Sequence, residues 1–317
     1  MSPLRAVAAV FAFLILIVVA LAMWNSDLLS ALLTLGFGAQ VIRISVPYVF
    51  AALGGSITER AGMVDLALEA KLLFGAFTAA AVAHATNSLA CGIAGGMAAG
   101  MAVAAVQTGL ALGMGGEQVI VGIGLNILAL GGTRFLLQII FHEGANSPPC
   151  PALGGAVLAN PLVWGAMIAA VIVPIALHRT RWGLRLRAAG DRPEALLSVG
   201  IDPLRPRLGA ALVGGALTGA GGAQLSLAVG GFSADMSSGR GYIALAMVIL
   251  AGWRPGYAAL ACVGVAIGEA LNIQLQVTGT AVPRELASLL PYILTLLVLV
   301  VVNAKLRKPP AALGKQT

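Results

Sequence analysis

The chain has 317 residues, 59% of them hydrophobic and only 10% charged, with 41 glycines and a mean hydropathy of +0.95. So apolar a composition excludes a soluble globular domain. The apolar runs reach the roughly 18–20 residues that cross a bilayer, and they are continuous, which favours an all-α multi-pass fold over the alternating pattern of a β-barrel. The net charge of +7, from 19 Lys/Arg against 12 Asp/Glu, gathers at helix ends on one side; that is topology, not nucleic-acid binding.

Ten spans are expected, at 6–24, 30–57, 66–83, 89–112, 119–141, 160–178, 208–228, 240–252, 256–275 and 286–303. The first follows MSPLR. Ala20–Ala22 resemble a signal-peptide cleavage site, but the run exceeds the usual core of about 7–15 residues, so an uncleaved span is expected. Segment 30–57 carries Arg43 and Pro47, which suggests a broken helix. Segment 240–252 is too short for a full crossing, at roughly 20 Å, and follows the polar GGFSADMSSGRG. Irregular backbone at membrane depth survives only where protein covers it or water fills a cavity, so both segments are candidates for a transport path. Gly96/Gly100 and Gly264/Gly268 have the spacing that lets helices approach closely. The loop 142–161 is rich in Pro and Gly and reads as a structured surface loop. Arg5, the 179–207 loop and the tail residues Lys305, Arg307, Lys308 and Lys315 are expected on the cytoplasmic side, leaving Arg240 and Arg284 in external loops: N-in, C-in.

The loop 179–207 holds seven of the 19 basic residues and a short helix signature. Asp191 stands at an N-cap position with Glu194 three residues on, Pro193 falls in the first turn, and Gly200 closes the segment. The apolar residues between them are Ala195, Leu196, Leu197 and Val199. Such a helix on a basic loop fits either a docking element for another protein or an ordinary interfacial helix.

Ionisable and polar groups inside the membrane are costly and point to function. Asp65 and Glu69 are four apart, near Glu59, Arg60 and Lys71; they read either as an ion-pair cluster orienting helices or as a gate. Asn126 and Thr133, with Gln138 beyond them, form one polar stripe, and Glu269, Asn272 and Gln276 a second. Both stripes could line a path for a hydroxyl-rich solute, or simply hydrogen-bond between helices at about 0.6 kcal/mol each. His84, His142 and His178 sit at span ends and resemble interface residues.

Several chemistries lack their residues. There is no His-Glu-x-x-His, no clustered His/Cys set and no Gly-x-Ser-x-Gly, and Cys91, Cys150 and Cys262 show no Cys-x-x-Cys, so neither a zinc site, a disulfide framework nor a catalytic residue is expected. Nor is there a P-loop. Uphill transport would need an ion gradient or a partner ATPase, and a dedicated docking helix suits the second.

AALGGSITERAGMVDLALEAKLLFGAFTAA (51–80), RLRAAGDRPEALLSVGID (185–202), GGFSADMSSGRGYIALAMVILAGWRP (230–255) and LLPYILTLLVLVV (289–301), in that order, resemble bacterial ABC-importer permeases of the ribose/branched-chain amino acid superfamily. They are most similar to its nucleoside-type branch. Asp65 stands where that branch commonly has Asn, and Ala70 and Lys71 where it has Gly and an apolar residue. The resemblance implies an inner-membrane permease domain over 1–308 with a short tail, 309–317. A second permease subunit, related or identical, would complete the path, and an extracytoplasmic solute-binding lipoprotein would deliver substrate. Partner ATPases would bind ATP and Mg, so the chain itself carries no cofactor. Asp191, Arg192, Pro193, Glu194, Ala195, Leu196, Leu197, Ser198, Val199 and Gly200 would form the coupling helix seated in the ATPase. Nucleosides are the implied solute, with simple sugars the nearest alternative. An ion-coupled transporter using Glu69 or Glu269, and a non-transporting membrane protein, remain as readings of a different class.

Overall fold

A computed structural model describes residues 34–277 and 309–314. The spans expected at 6–24 and 286–303 lie outside them. The described residues form α1 (Leu35–Arg60), α2 (Leu68–Thr86), α3 (Leu89–Thr108), α4 (Gln118–Phe141), α5 (Pro161–Arg179), α6 (Arg181–Asp191), α7 (Pro193–Leu197), α8 (Leu204–Val229), α9 (Arg240–Leu250) and α10 (Pro255–Val277). Seven of these, α1 to α5, α8 and α10, are long and apolar enough to cross a membrane, α3 being prolonged to Gly113 by a π-turn.

Helix α8 is the axis and packs against α1, α2 and α3. Its glycines make this possible on three sides. A Cβ at Gly214 would lie 2.7 Å from the Gly54 carbonyl oxygen of α1, and one at Gly215 2.4 Å from that of Gly100 in α3. One at Gly75 in α2 would lie 2.8 Å from the Gly219 oxygen. Backbones that close leave no room for any side chain, so small residues are obligatory here. Gly96 and Gly100 thus do what their spacing suggests. Gly268 does not: among the described residues nothing comes within 4 Å of a Cβ there.

Helices α4 and α5 are peripheral. On α4 the buried positions are Gly122, Leu125, Asn126, Ala129, Thr133 and Leu137, three or four apart, while Ile120, Ile127, Leu128, Phe135 and Ile139 are exposed. An apolar surface outside an apolar core is what a helix facing lipid presents.

The break expected at Arg43 and Pro47 does not occur: α1 is one continuous helix of 26 residues. The Ser45 hydroxyl donates to the Ile42 carbonyl at 2.8 Å, next to the turn that Pro47 leaves short of a donor. Arg43 is not at mid-depth but at the end of the bundle, where its guanidinium donates to the Gly155 carbonyl.

The two ends of the bundle differ. At one end the loop 142–160 lies along the 227–234 segment, joined by hydrogen bonds from the backbone amides of Ser147, Cys150 and Leu153 to the carbonyls of Phe232, Gly230 and Leu227. At the other end α6 packs under α1 and α8. There the amide of Ala312 donates to the Gly190 carbonyl and that of Gly314 to the Gly62 carbonyl. The tail and the basic loop therefore share one end. Fully buried Arg207 ties the same corner together, donating from Nε to the Ala61 carbonyl and from Nη2 to the Ala189 carbonyl.

Two chain segments enter the bundle without helical structure. Residues 61–67 climb beside α4: Val64 is held by Gln118 and Gln107, and Leu66 by Asn126 two turns further along. Residues 231–239 descend from the opposite end, and α9 then adds 11 residues, about 16 Å, or half a membrane. The short element inferred from sequence is therefore a half-crossing helix. Its N-terminus meets the first turn of α2 inside the bundle.

Candidate functional site

At the basic end, the helix signature is built differently from its sequence pattern. Asp191 is the last residue of α6, not an N-cap; α7 starts after Arg192 (φ −150°, ψ 77°), and no side chain caps it. The residue preceding a proline is pushed out of the α region, so Pro193 breaks the helix at Arg192. The bonding pattern agrees, since the Arg192 amide still donates to the Ala188 carbonyl. The expected capping box is absent because Asp191 is spent on the preceding helix. Gly200, at φ +74°, does end the segment, with the Ile201 amide returning to the Leu196 carbonyl.

The apolar residues of this element split in two. Pro193 and Leu196 are buried against the protein, whereas Leu197 and Val199 are 61% and 67% exposed. Arg192, Glu194, Ala195, Ser198 and Gly200 are exposed around them. Helix α6, which the sequence shows only as a basic loop, is the lever that carries α7. Thr180 caps it, accepting from the Gly183 amide, and its buried stripe is Gly183, Leu186, Ala189 and Gly190. Gly190 lies against the end of α1: a Cβ there would be 2.2 Å from the Arg60 carbonyl oxygen.

Inside the bundle, Glu69 and Glu269 organise a polar centre around the start of α9. The Glu69 carboxylate accepts from the backbone amides of Gly239 and Gly241, at 2.8 and 2.7 Å. It thereby caps the positive end of α9 from the first turn of another helix. Glu269 pairs with Arg240 at 2.5 Å and accepts from the Tyr48 hydroxyl at 2.9 Å. Arg240 also lies over the Tyr48 ring and donates to the Met236 carbonyl. Arg240 is thus no loop cation but part of a half-buried polar framework, its side chain 21% exposed. The turn before it holds Asp235 and Ser238 at positive φ, 63° and 45°, both exposed, and the Ser237 hydroxyl is buried without a partner among the described residues. Asn126 joins the centre from α4, accepting from the Ala70 amide and donating to the Leu66 carbonyl and the Tyr242 hydroxyl.

The remaining expected path residues separate. Thr133 is buried but returns its hydroxyl to the Ala129 carbonyl. Gln138 is exposed, one residue off the buried stripe that ends at Leu137, so Asn126, Thr133 and Gln138 are not one lining. On α10 the second stripe does hold: Gln276 donates to Asn272 at 2.8 Å, and Glu269 follows one turn further in. Tyr48 and Arg240 were not among the expected site residues. An arginine at the first turn of a half-length apolar helix is the signal that could have found the latter.

Asp65 does not share a helix face with Glu69, because α2 begins only at Leu68. Its partner is Lys71, at 2.5 Å, both side chains fully buried. The pair comes from the bend ahead of α2, which brings Asp65 back over the second turn. Two departures from the front signature therefore compensate one another. Glu59, also buried, accepts from the Trp253 indole at 2.6 Å and ties α1 to the turn after α9. This group reads as an ion-pair and hydrogen-bond framework that orients helices. No group of three or more His, Cys, Asp or Glu able to hold a metal occurs among the described residues.

The described residues thus form a bundle of membrane-capable helices with a half-length helix inside and an exposed apolar knob on a basic lever. Residues 37–299 match the family described as the permease component of branched-chain amino acid transport systems, and the chain belongs to that family. It is 34% identical over 229 residues to a putative glucose ABC transporter permease of Haloferax volcanii, covering 68% of this chain and 70% of the relative. It is 28% identical to a nucleoside ABC transporter permease of Lactococcus lactis, covering 86% and 94% of the two chains. A guanosine ABC transporter permease of Bacillus subtilis is 27% identical, with 80% and 88% covered. No solved structure matches the chain. The protein is therefore a multi-pass membrane permease of an ABC transporter and not an enzyme; it works with a separate ATPase.

Proposed function

We propose that this chain is a permease subunit of an ATP-driven importer for nucleosides, with ten spans, both termini cytoplasmic, and α7 seated in the ATPase. The observation that carries the coupling role is the split of α7: Pro193 and Leu196 anchor it inward while Leu197 and Val199 stand out as a knob. The lever behind it, α6, is in backbone contact with α1 through Gly190 and joined to α8 through Arg207. Motion of α7 is therefore delivered to the helices that border the polar centre. ATP and Mg belong to the partner ATPase; a solute-binding lipoprotein delivers substrate from the side of the 142–160 loop, and a second permease subunit completes the path. Nucleosides are supported by the two relatives matched over most of their length. A simple-sugar substrate is the second reading, favoured by the relative of highest identity among these.

The ion-coupled alternative needs Glu69 or Glu269 to bind a proton or sodium. Two backbone amides hold the first and Arg240 the second, so both are engaged as structural anions.

Uptake with Leu197→Arg and Glu194→Ala tests the coupling role. Leu197→Arg abolishes uptake and co-purification of the ATPase, while the permease stays monodisperse in detergent; Glu194→Ala lowers both. Normal uptake in cells lacking any partner ATPase overturns the reading.

A further inference from the structure

We propose that the groove between α1 and α10, floored by Tyr48, Glu269 and Arg240, is a binding site for vicinal hydroxyls of a neutral sugar-bearing solute. This rests on the importer reading and adds the place and chemistry of recognition within the permease.

The groove is lined by Gln40, Arg43 and Ile44 of α1 and Ile273 of α10, with Gly36 and Ala39 at its rim. Tyr48 lies one helical turn below Ile44, and Glu269 one turn below Ile273. The Tyr48–Glu269 hydrogen bond therefore joins the two helices one turn inward of the groove lining, with the Tyr48 side chain itself buried. From the loop end, exposed Gln276 and half-exposed Asn272 lead along α10 to Glu269, a polar track on one face of the helix.

The floor is only partly satisfied by its own partners. Each Glu269 oxygen accepts one bond, from Arg240 and from Tyr48, and a carboxylate oxygen has room for a second. Arg240 spends Nη1 on the Met236 and Ser237 carbonyls and one donor of Nη2 on Glu269. Guanidinium carries five donors, so donors remain beside the free acceptors. Paired acceptors next to a donor suit two adjacent hydroxyl groups, each of which both gives and takes a hydrogen bond. The Arg240 and Glu269 side chains are 21% and 17% exposed, so the pair is reachable, and charged groups reachable at membrane depth face water or protein rather than lipid.

Charge selects the class of solute. Around the start of α9 stand two carboxylates, Glu69 and Glu269, against one guanidinium, Arg240, and the amides that would attract an anion are already taken by Glu69. Arg43, at the mouth, is turned to the Gly155 carbonyl. A phosphate reaching the floor would meet a surplus of negative charge, so free nucleosides and sugars fit and their phosphates do not.

The test uses the complete importer in proteoliposomes. Uptake is compared for guanosine against 2′-deoxyguanosine and for glucose against 2-deoxyglucose, with the binding protein held constant. The wild type prefers the hydroxylated member of the pair that it imports about tenfold. Glu269→Gln and the milder Tyr48→Phe raise KM for that member about tenfold and reduce the preference toward one. Because the binding protein is common to all samples, its own selectivity cancels from the comparison between wild type and variant. Equal handling of both members by the wild type, or an unchanged preference in Tyr48→Phe, overturns the proposal. Failure of the wild type to import any of the four solutes instead brings down the proposed function.

Discussion

Leucine in place of Gly219 yields no folded permease, and membrane yield followed by size exclusion in detergent shows it as loss of the monodisperse peak. A Cβ at Gly219 would lie 2.2 Å from the Gly96 carbonyl oxygen and 3.1 Å from the Met97 Cα. Both are backbone atoms of α3 and cannot rotate aside. Relief requires α3 to move away from α8 along its length, and the same shift would open the Gly100–Gly215 contact. Overpacking in a tight core commonly costs about 1–3 kcal/mol where side chains can adjust; here only whole helices can. Gly131 on α4 supplies the control. It is exposed, and nothing among the described residues lies within 4 Å of a Cβ there, so Gly131→Leu leaves the yield unchanged.

Lys71→Met lowers the melting temperature of the purified permease steeply. It strands Asp65, which is fully buried and whose Oδ2 already lacks a partner among the described residues. Removing one member of a buried pair costs about 3–5 kcal/mol, because the remaining charge has lost its counter-ion and has no water. Asp65→Asn combined with Lys71→Leu restores most of that loss, since replacing both members of a buried pair is often neutral or stabilising. A melting temperature that stays low in the double variant means that the two residues act separately.

The membrane-crossing frame was readable from the chain because apolar run length and helix rise are local properties. The borders of α5, α8 and α10 fall within a few residues of the sequence expectation. The half-crossing α9 was also readable, since an eleven-residue helix, apolar after Arg240 and behind a polar, glycine-rich turn, cannot span a bilayer. What failed was whatever depends on a neighbour distant in the chain. Asp65 and Glu69 have helical spacing, yet the chain between α1 and α2 turns without forming helix, and only three-dimensional folding pairs Asp65 with Lys71. Arg240 looked like a loop cation because its carboxylate partner lies 29 positions later on another helix. Pro47 looked like a break, but a membrane helix packed on several sides absorbs a missing donor. At α7 the capping pattern was present in the letters, but the constraint that Pro193 places on Arg192 moved the boundary by one residue and assigned Asp191 to α6.

The tail that lies across Gly190 and Gly62 has a consequence for biosynthesis. The amides that hold this corner come from Ala312 and Gly314, far later in translation than α6 itself. Gly190 can meet α1, and Arg207 can tie the corner, once α8 begins, but the tail's two hydrogen bonds form only after α8, α9 and α10 have all been made. A nascent chain would carry a lever held by Gly190 and Arg207 alone, and a finished one a lever clamped by the tail as well. The face that α6 and α7 present thus reaches its final form only after the membrane helices behind it are in place.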